Sequence, residues 1–244
     1  MLAEKHKIVA LWDEWSRRKH YNRARLSLYY HIRERNLRWL TSRARGLLTT
    51  NGPVRILKTD LWNEVKKGER YFLDAECSRF AVDISDEICR AAKSDFGNAI
   101  FLARSDIEFL PFRTCSFDLI WDISTIDHCD HPENVLREYQ RVLRPGGILL
   151  LIVENPFCLS FPVTKLQSYL KLHVPFKGFS PSRMVRACRA NGLTVVSRFK
   201  TNIHLPTFVV YYLERKGELE EINQGNSLFW DSCKKYFVLL CRKE

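Results

Sequence analysis

No two of the eight cysteines in this 244-residue chain stand closer than eight residues apart. Paired thiols at zinc-ligand spacing are absent, so no metal site is expected, and free thiols in a reducing compartment are the simplest reading. Long apolar runs are missing as well. The longest aliphatic stretch, Ile148 to Val153, falls far short of the ~20 residues a spanning helix needs. The opening residues, MLAEKHKIVALWDEW, are charged throughout and have no apolar core of the kind a secretory leader carries. A cytoplasmic chain without a transmembrane segment is the expectation. Its length suits one α/β domain of about 200 residues with a short appendage, large enough to bury ~70–75% of its unfolded surface without staples.

The net charge of +11 is unevenly placed. Residues 1–50 hold 12 Lys and Arg against 4 Asp and Glu, a net of +8, whereas residues 51–244 hold 27 against 24. The basic character therefore belongs to the N-terminal fifth, where it raises encounter rates with anionic partners without naming one.

Apolar spacing predicts helix from residue 4 to about 48. Ile8, Leu11, Trp12 and Trp15 make one stripe; Leu26, Tyr30, Leu37, Leu40, Ala44 and Leu47 make a second. Thr49-Thr50-Asn51-Gly52-Pro53 breaks the pattern. Residues 1–52 are thus expected to form a basic helical cap and 53–244 a separate α/β domain. In the latter, strands are predicted at 54–59, 79–83, 99–103, 117–123, 148–154 and 193–199, with a last one at 236–241 antiparallel to the rest. Helices are predicted near 61–67, 85–94, 132–143 and 181–191, the second started by Ser85 and acidic Asp86 and Glu87. Residues 201–235 show no clear period. The alternation implies a parallel sheet with helices on both faces.

In such a sheet, ligands lie beyond the carboxyl ends of the strands. Polar or acidic groups end all five of the first strands: Lys58-Thr59-Asp60, Asp83, Asp106, Ser124 to His128, and Glu154-Asn155. Asp60, Asp83 and Asp106 are spaced 23 residues apart. An acid ending the second strand can accept both hydroxyls of a ribose, and one after the third can accept from an exocyclic amine. Each could equally be a helix cap or a solvated strand end.

Three segments carry a resemblance: FAVDISDEICRAAKS, SDIEFLPFRTCSFDLIWDISTIDHC and ENVLREYQRVLRPGGILLLIVEN. In this order and spacing they resemble class I S-adenosylmethionine-dependent methyltransferases, densely over residues 82–155 and more weakly through FSPSRMVRACRANGLTVVSRF. The resemblance implies a Rossmann-like seven-stranded, mostly parallel sheet and S-adenosyl-L-methionine as cofactor. It places Asp83 on the ribose and Ile84 on the adenine, Asp106 on the adenine amine with Ile107 beside the ring, and Ser124 near the methionine moiety.

The first motif departs from that family. Where a glycine-rich loop belongs, the chain reads ILKTDLWNEVKKG, and Lys58 replaces the acid that usually ends the first strand. Glycines there let backbone approach the ligand. Without them, either Lys58, Thr59, Asp60, Asn63 and Glu64 supply side-chain contacts instead, or the loop has lost the cofactor and the protein is a non-catalytic binding module.

Methyl transfer is largely positioning, with a base wanted for an oxygen acceptor. His128, after the fourth strand with Asp127 beside it, is the candidate base. The cap carries Trp12, Trp15, Tyr21, Tyr29, Tyr30 and Trp39 among its basic residues. It suits an anionic small-molecule or lipid-linked acceptor first, RNA second, and a peripheral membrane contact besides.

Overall fold

The computed structural model describes residues 2–18, 27–50, 52–69, 71, 77–170, 177–203, 207–224 and 233–244. Seven strands form one sheet: β1 (Val54–Lys58), β2 (Cys77–Asp83), β3 (Phe101–Arg104), β4 (Phe117–Ile123), β5 (Leu143–Glu154), β6 (Leu193–Ile203) and β7 (Lys234–Lys243). Their order is β3-β2-β1-β4-β5-β7-β6, with β7 antiparallel to both neighbours and the other contiguous pairs parallel. The chain leaves β1 in one direction to make β2 and β3, then crosses back to β4. That reversal opens a crevice above the ends of β1 and β4.

Every residue of β4, FDLIWDI, is buried, as a strand covered on both faces requires. On one face lie α2 (Ser27–Arg45), through Leu37, Leu40 and Ala44, and α3 (Asp86–Phe96), through Ile88, Ala92 and Phe96. The other face is covered by α4 (Pro132–Val142) and α6 (Pro181–Ala190), through Leu136, Tyr139, Met184 and Cys188. Ser85 caps α3 by accepting from the Ile88 N–H, the start signal legible in the sequence.

Four features differ from the sequence reading. The helix expected over 4–48 is α1 (Leu2–Arg18) and α2, with residues 19–26 outside those described. α2 packs into the sheet's own core, while α1 lies over the strand ends, so residues 1–52 serve two different purposes. β5 begins at Leu143, five residues early, because Arg144 to Gly147 form a bulge within the strand. A Cβ on Gly147 would stand 2.9 Å from the Arg144 carbonyl and 3.2 Å from that of Asp118, so only glycine fits there. The unassigned stretch after residue 200 holds α7 (Thr207–Lys216) and α8 (Leu219–Gln224), following α5 (Phe161–Tyr169) in chain order.

Candidate active site

Lys58 ends β1 fully buried, and its ammonium is the strut of the loop that follows. Nζ donates to the Asp60 carbonyl at 2.9 Å and to Asp60 Oδ2 at 2.7 Å, and stands 3.7 Å from Glu64 Oε1. Burial works against the lysine's charge, but Asp60 and Glu64 outweigh it and its pKa lies above the ordinary value. Asp60 suffers the same burial, yet Lys58 and the Thr125 hydroxyl hold it below the ordinary carboxylate range. Burial instead pushes Glu64 up to about 7, and its Oε1 accepts from the Tyr71 hydroxyl at 2.9 Å. The helix expected over 61–67 is a π-helical turn, Asn63–Lys67, closed by Gly68 at φ +72°.

This loop is organised by side chains where glycines would use backbone. Thr59, Asp60 and Asn63 line a cavity in the crevice; Lys58 and Glu64, expected as ligand contacts, stand behind its wall. Lys58 pairs with both Asp60 and Glu64, which draws the lysine and Glu64 inward.

Across the crevice, the Asp83 carboxylate accepts from the Leu61 N–H and the Ser85 N–H, each at 2.9 Å, tying the first loop to the end of β2. Burial raises its pKa to about 7. Ile84, Asp106 and Ile107 continue the wall, with Asp106 Oδ1 accepting from the Glu108 N–H at 2.9 Å. Ser124 follows β4 in the left-handed region, at φ +63°, its N–H bonded to the Ile152 carbonyl. Its hydroxyl lies buried at the cavity with no hydrogen-bond partner among the described residues. Beneath it, Asp122 accepts from Tyr139 at 2.7 Å and from the Thr125 N–H at 2.8 Å. His128 sits on the short turn after β4 and faces the same cavity. Its sequence neighbour Asp127 is fully buried and accepts from the Glu154 N–H, so it serves the backbone and not the imidazole.

α1 roofs the site. Ile8, Trp12 and Trp15 line the cavity, and the Trp12 ring stands edge-on to His128 at 5.0 Å and to Trp62 at 5.7 Å. Asp13 accepts hydrogen bonds from the Ser85 hydroxyl and from the Glu87 N–H, latching α1 to the first turn of α3. The cavity volume is about 420 Å³, within the span of small-ligand pockets. Arg33, Lys67, Glu154, Lys235 and Tyr236 complete the wall. Glu154 was named at the end of the fifth strand; sequence reasoning missed the other four, which come from three separate elements and share no motif.

An S-adenosylmethionine molecule fits these residues. Carboxylates end β2 and β3 beside Ile84 and Ile107, and the Ser124 hydroxyl is a buried polar atom that a ligand's polar group would satisfy. Among the described residues, no group of three or more His, Cys, Asp or Glu could hold a metal ion, and no helix is long and apolar enough to cross a membrane.

A family model described as a methyltransferase domain matches residues 67–151. A malonyl-[acyl-carrier protein] O-methyltransferase of Enterobacter lignolyticus is 34% identical over 80 residues, 33% of this chain and 32% of that one. The chain thus spans about a third of that relative's length. An uncharacterised protein of Methanocaldococcus jannaschii is 26% identical over 64% of this chain and 74% of its own. Among solved structures, an S-adenosylmethionine-dependent methyltransferase of Thermotoga maritima superposes with a TM-score of 0.65 at 19% identity, covering 91% of this chain and 94% of that one. A geranyl diphosphate methyltransferase, solved with its diphosphate and sinefungin, gives 0.57 at 17% identity over 84% and 78%. These likenesses establish the Rossmann-like methyltransferase fold.

Proposed function

We propose that the chain, whose residues 67–151 match a methyltransferase-domain model, is a class I S-adenosylmethionine-dependent methyltransferase that methylates a small-molecule or lipid-linked acceptor admitted beneath α1. The observation that carries this reading is the roofed cavity. It joins the strand-end carboxylates to Ser124 and His128 under Trp12. Of the cap's aromatic residues, Trp12 and Trp15 face this cavity, and Trp39 packs on Phe199 at 5.4 Å. Stacked RNA bases would need such rings exposed. Tyr21 lies outside the described residues, as do the side chains of Tyr29 and Tyr30.

In this reading Asp83 holds the ribose hydroxyls and Asp106 the adenine amine, with Ile84 and Ile107 against the ring. Thr59, Asp60, Asn63 and Ser124 receive the methionine end. Bound there, the cofactor supplies an activated methyl group whose leaving group is a neutral thioether. The chain's own contribution is to exclude water beneath α1, align the acceptor atom, and take its proton on an imidazole nitrogen of His128.

Calorimetric titration with S-adenosylhomocysteine tests the cofactor half. Asp83→Ala removes charge-assisted hydrogen bonds worth about 1.5–3 kcal/mol, so affinity should fall roughly ten- to hundred-fold. Asp106→Ala, which leaves the β2 end intact, should show a smaller loss. Equal affinity in the parent and both variants would refute this placement. For the base, His128→Ala should keep most cofactor affinity while product formation collapses with any acceptor the parent methylates; full turnover would remove His128 from the chemistry.

A further inference from the structure

The segment that leaves β5 turns its apolar side chains outward. Leu159, Val163, Leu166 and Leu170 recur at spacings of four, three and four, one stripe along α5 and its flanks. The Leu170 N–H still bonds the Leu166 carbonyl at 2.9 Å, so the stripe runs on past the last helical residue. A helix in a folded domain normally buries such a stripe. Here the four, with Phe157 and Tyr169, are 54–84% exposed. Six of the ten exposed large apolar side chains among the described residues thus fall within residues 157–170, a concentration that singly scattered surface groups do not show.

The orientation is fixed at the root of the segment. Asn155 is buried, its N–H donating to the Lys235 carbonyl at 2.7 Å and its Nδ2 to the Lys234 carbonyl at 2.9 Å. Cys158 is buried too, and its carbonyl accepts from the Phe161 N–H at 2.9 Å where α5 begins. Turning the stripe inward would break this junction with β7. The charge around it has one sign in the sequence: no Asp or Glu occurs from residue 155 to 213, a span with eight Lys and Arg. Neighbouring carboxylates meet that span, since Asp130 holds Lys177 at 2.7 Å and Glu133 stands 3.8 Å from Arg183. With every acid and base of the chain counted the net charge is still +11, so long-range attraction to an anionic surface survives such pairing.

We propose that the outward apolar face of α5, with the turn that precedes it, docks on the surface of an anionic lipid bilayer. Leucine and phenylalanine side chains enter the boundary between headgroups and acyl chains, and a tyrosine suits that boundary with its polar tip toward water. Basic side chains along the same span approach lipid phosphates while their stems stay on apolar surface. A second copy of the chain fits the face less well, because it would bring two acid-free, basic spans together. The face also adjoins the cavity. The segment begins directly after Glu154 and is tied back at Lys177, whose N–H donates to the Asp127 carbonyl at 2.8 Å and whose Nζ holds Asp130. Glu154 and Asp130 both line the cavity. A lipid-linked acceptor would enter from this docked side, the one step here that rests on the methyltransferase reading.

The test is cosedimentation of the full chain, without cofactor, with vesicles of mixed phosphatidylglycerol and phosphatidylcholine and with vesicles of phosphatidylcholine alone. The expected result is binding to the anionic vesicles that added salt weakens and that the double variant Leu166→Ser/Tyr169→Ser reduces roughly tenfold or more. Tyr212→Ser, which removes an exposed ring from α7, should bind as the parent does. Hydrogen exchange of the unsubstituted chain reads the same surface without a mutation: amides of residues 157–170 should slow on the anionic vesicles. The proposal is overturned by no binding, by equal binding to phosphatidylcholine alone, by a double variant that binds as the parent, or by an equal loss in Tyr212→Ser. Protection confined to residues 1–50 would overturn it by assigning the docking to the basic N-terminal helices. A lipid-free dimer that the double variant dissolves would overturn it by giving the face to a second copy. Titration with S-adenosylhomocysteine reads the cofactor separately. If that ligand fails to bind while the vesicles do, the docking surface stands and only the acceptor's route into the cavity falls.

Discussion

Lys58 shows most clearly what one residue does here. As a strand-end polar group it was a fair candidate for ligand contact; its side chain instead turns inward to Asp60 and Glu64. Position along the chain places a residue at a strand end but does not say which charge its head group will find, and that depends on a loop whose path the sequence leaves open. Asp83 and Asp106 were legible because strand ends in a parallel sheet face the ligand crevice whatever the loops do. Arg33, Lys67 and Lys235 were not, being separated by up to 202 residues with no periodicity between them. The strut reading gives a direct expectation. Lys58→Met should cost about 3–5 kcal/mol, the usual penalty for leaving buried carboxylates without their cation. Adding Asp60→Asn should restore part of the loss. Urea unfolding monitored by circular dichroism reads both; a Lys58→Met chain as stable as the parent would show the ammonium to be dispensable to the loop.

Among the elements, α1 is where the sequence said enough to make a helix and too little to place it. Its Ile8, Trp12 and Trp15 stripe looks like any buried face, but the surface it meets is the rim of the cavity and not the sheet. The latch is a single side chain, Asp13, acting on Ser85 and on the Glu87 N–H at 3.3 Å. A carboxylate there also sits favourably against the N-terminus of α3. Asp13→Ala should therefore loosen the roof and leave the core alone. Stopped-flow release of S-adenosylhomocysteine should quicken by roughly three- to tenfold, matching the loss of a partly exposed latch worth about 0.5–1.5 kcal/mol in all. The thermal midpoint should barely move, and unchanged release would mean α1 gates nothing. α7 and α8 escaped the sequence reading for different reasons: α8, at 6 residues, is too short to show a period, and α7 opens on a continuous apolar run, FVVYYL, that marks no single face.

Across the molecule, the βαβ alternation and the family resemblance implied a seven-stranded, mostly parallel sheet with an antiparallel last strand, while the order of its strands came only with the structure. What neither could disclose is the number of carboxylates buried around the crevice. Burial raises Glu64 and Asp83 to about 7 and Asp122 to about 6, and lifts Asp127 well above its ordinary value. The sign of the consequence follows from proton counting. Between pH 5 and 7 the unfolded chain's carboxylates are already ionised, and so are folded-state acids held low, such as Asp60 and Glu138. Of the carboxylates, only the raised groups still hold protons, and they hold them in the folded state alone. The carboxylate contribution to stability therefore falls as pH rises through this window, the reverse of a protein whose carboxylates are all salt-bridged. Thermal unfolding of the ligand-free chain should give a higher midpoint at pH 5 than at pH 7.5. Saturating S-adenosylhomocysteine should narrow the gap, because ribose hydroxyls donating to Asp83 stabilise its charged form. A midpoint that climbs from pH 5 to 7.5 without ligand would mean that water or counter-charges reach these carboxylates, and that the roofed crevice is more open in solution than α1 leaves it here.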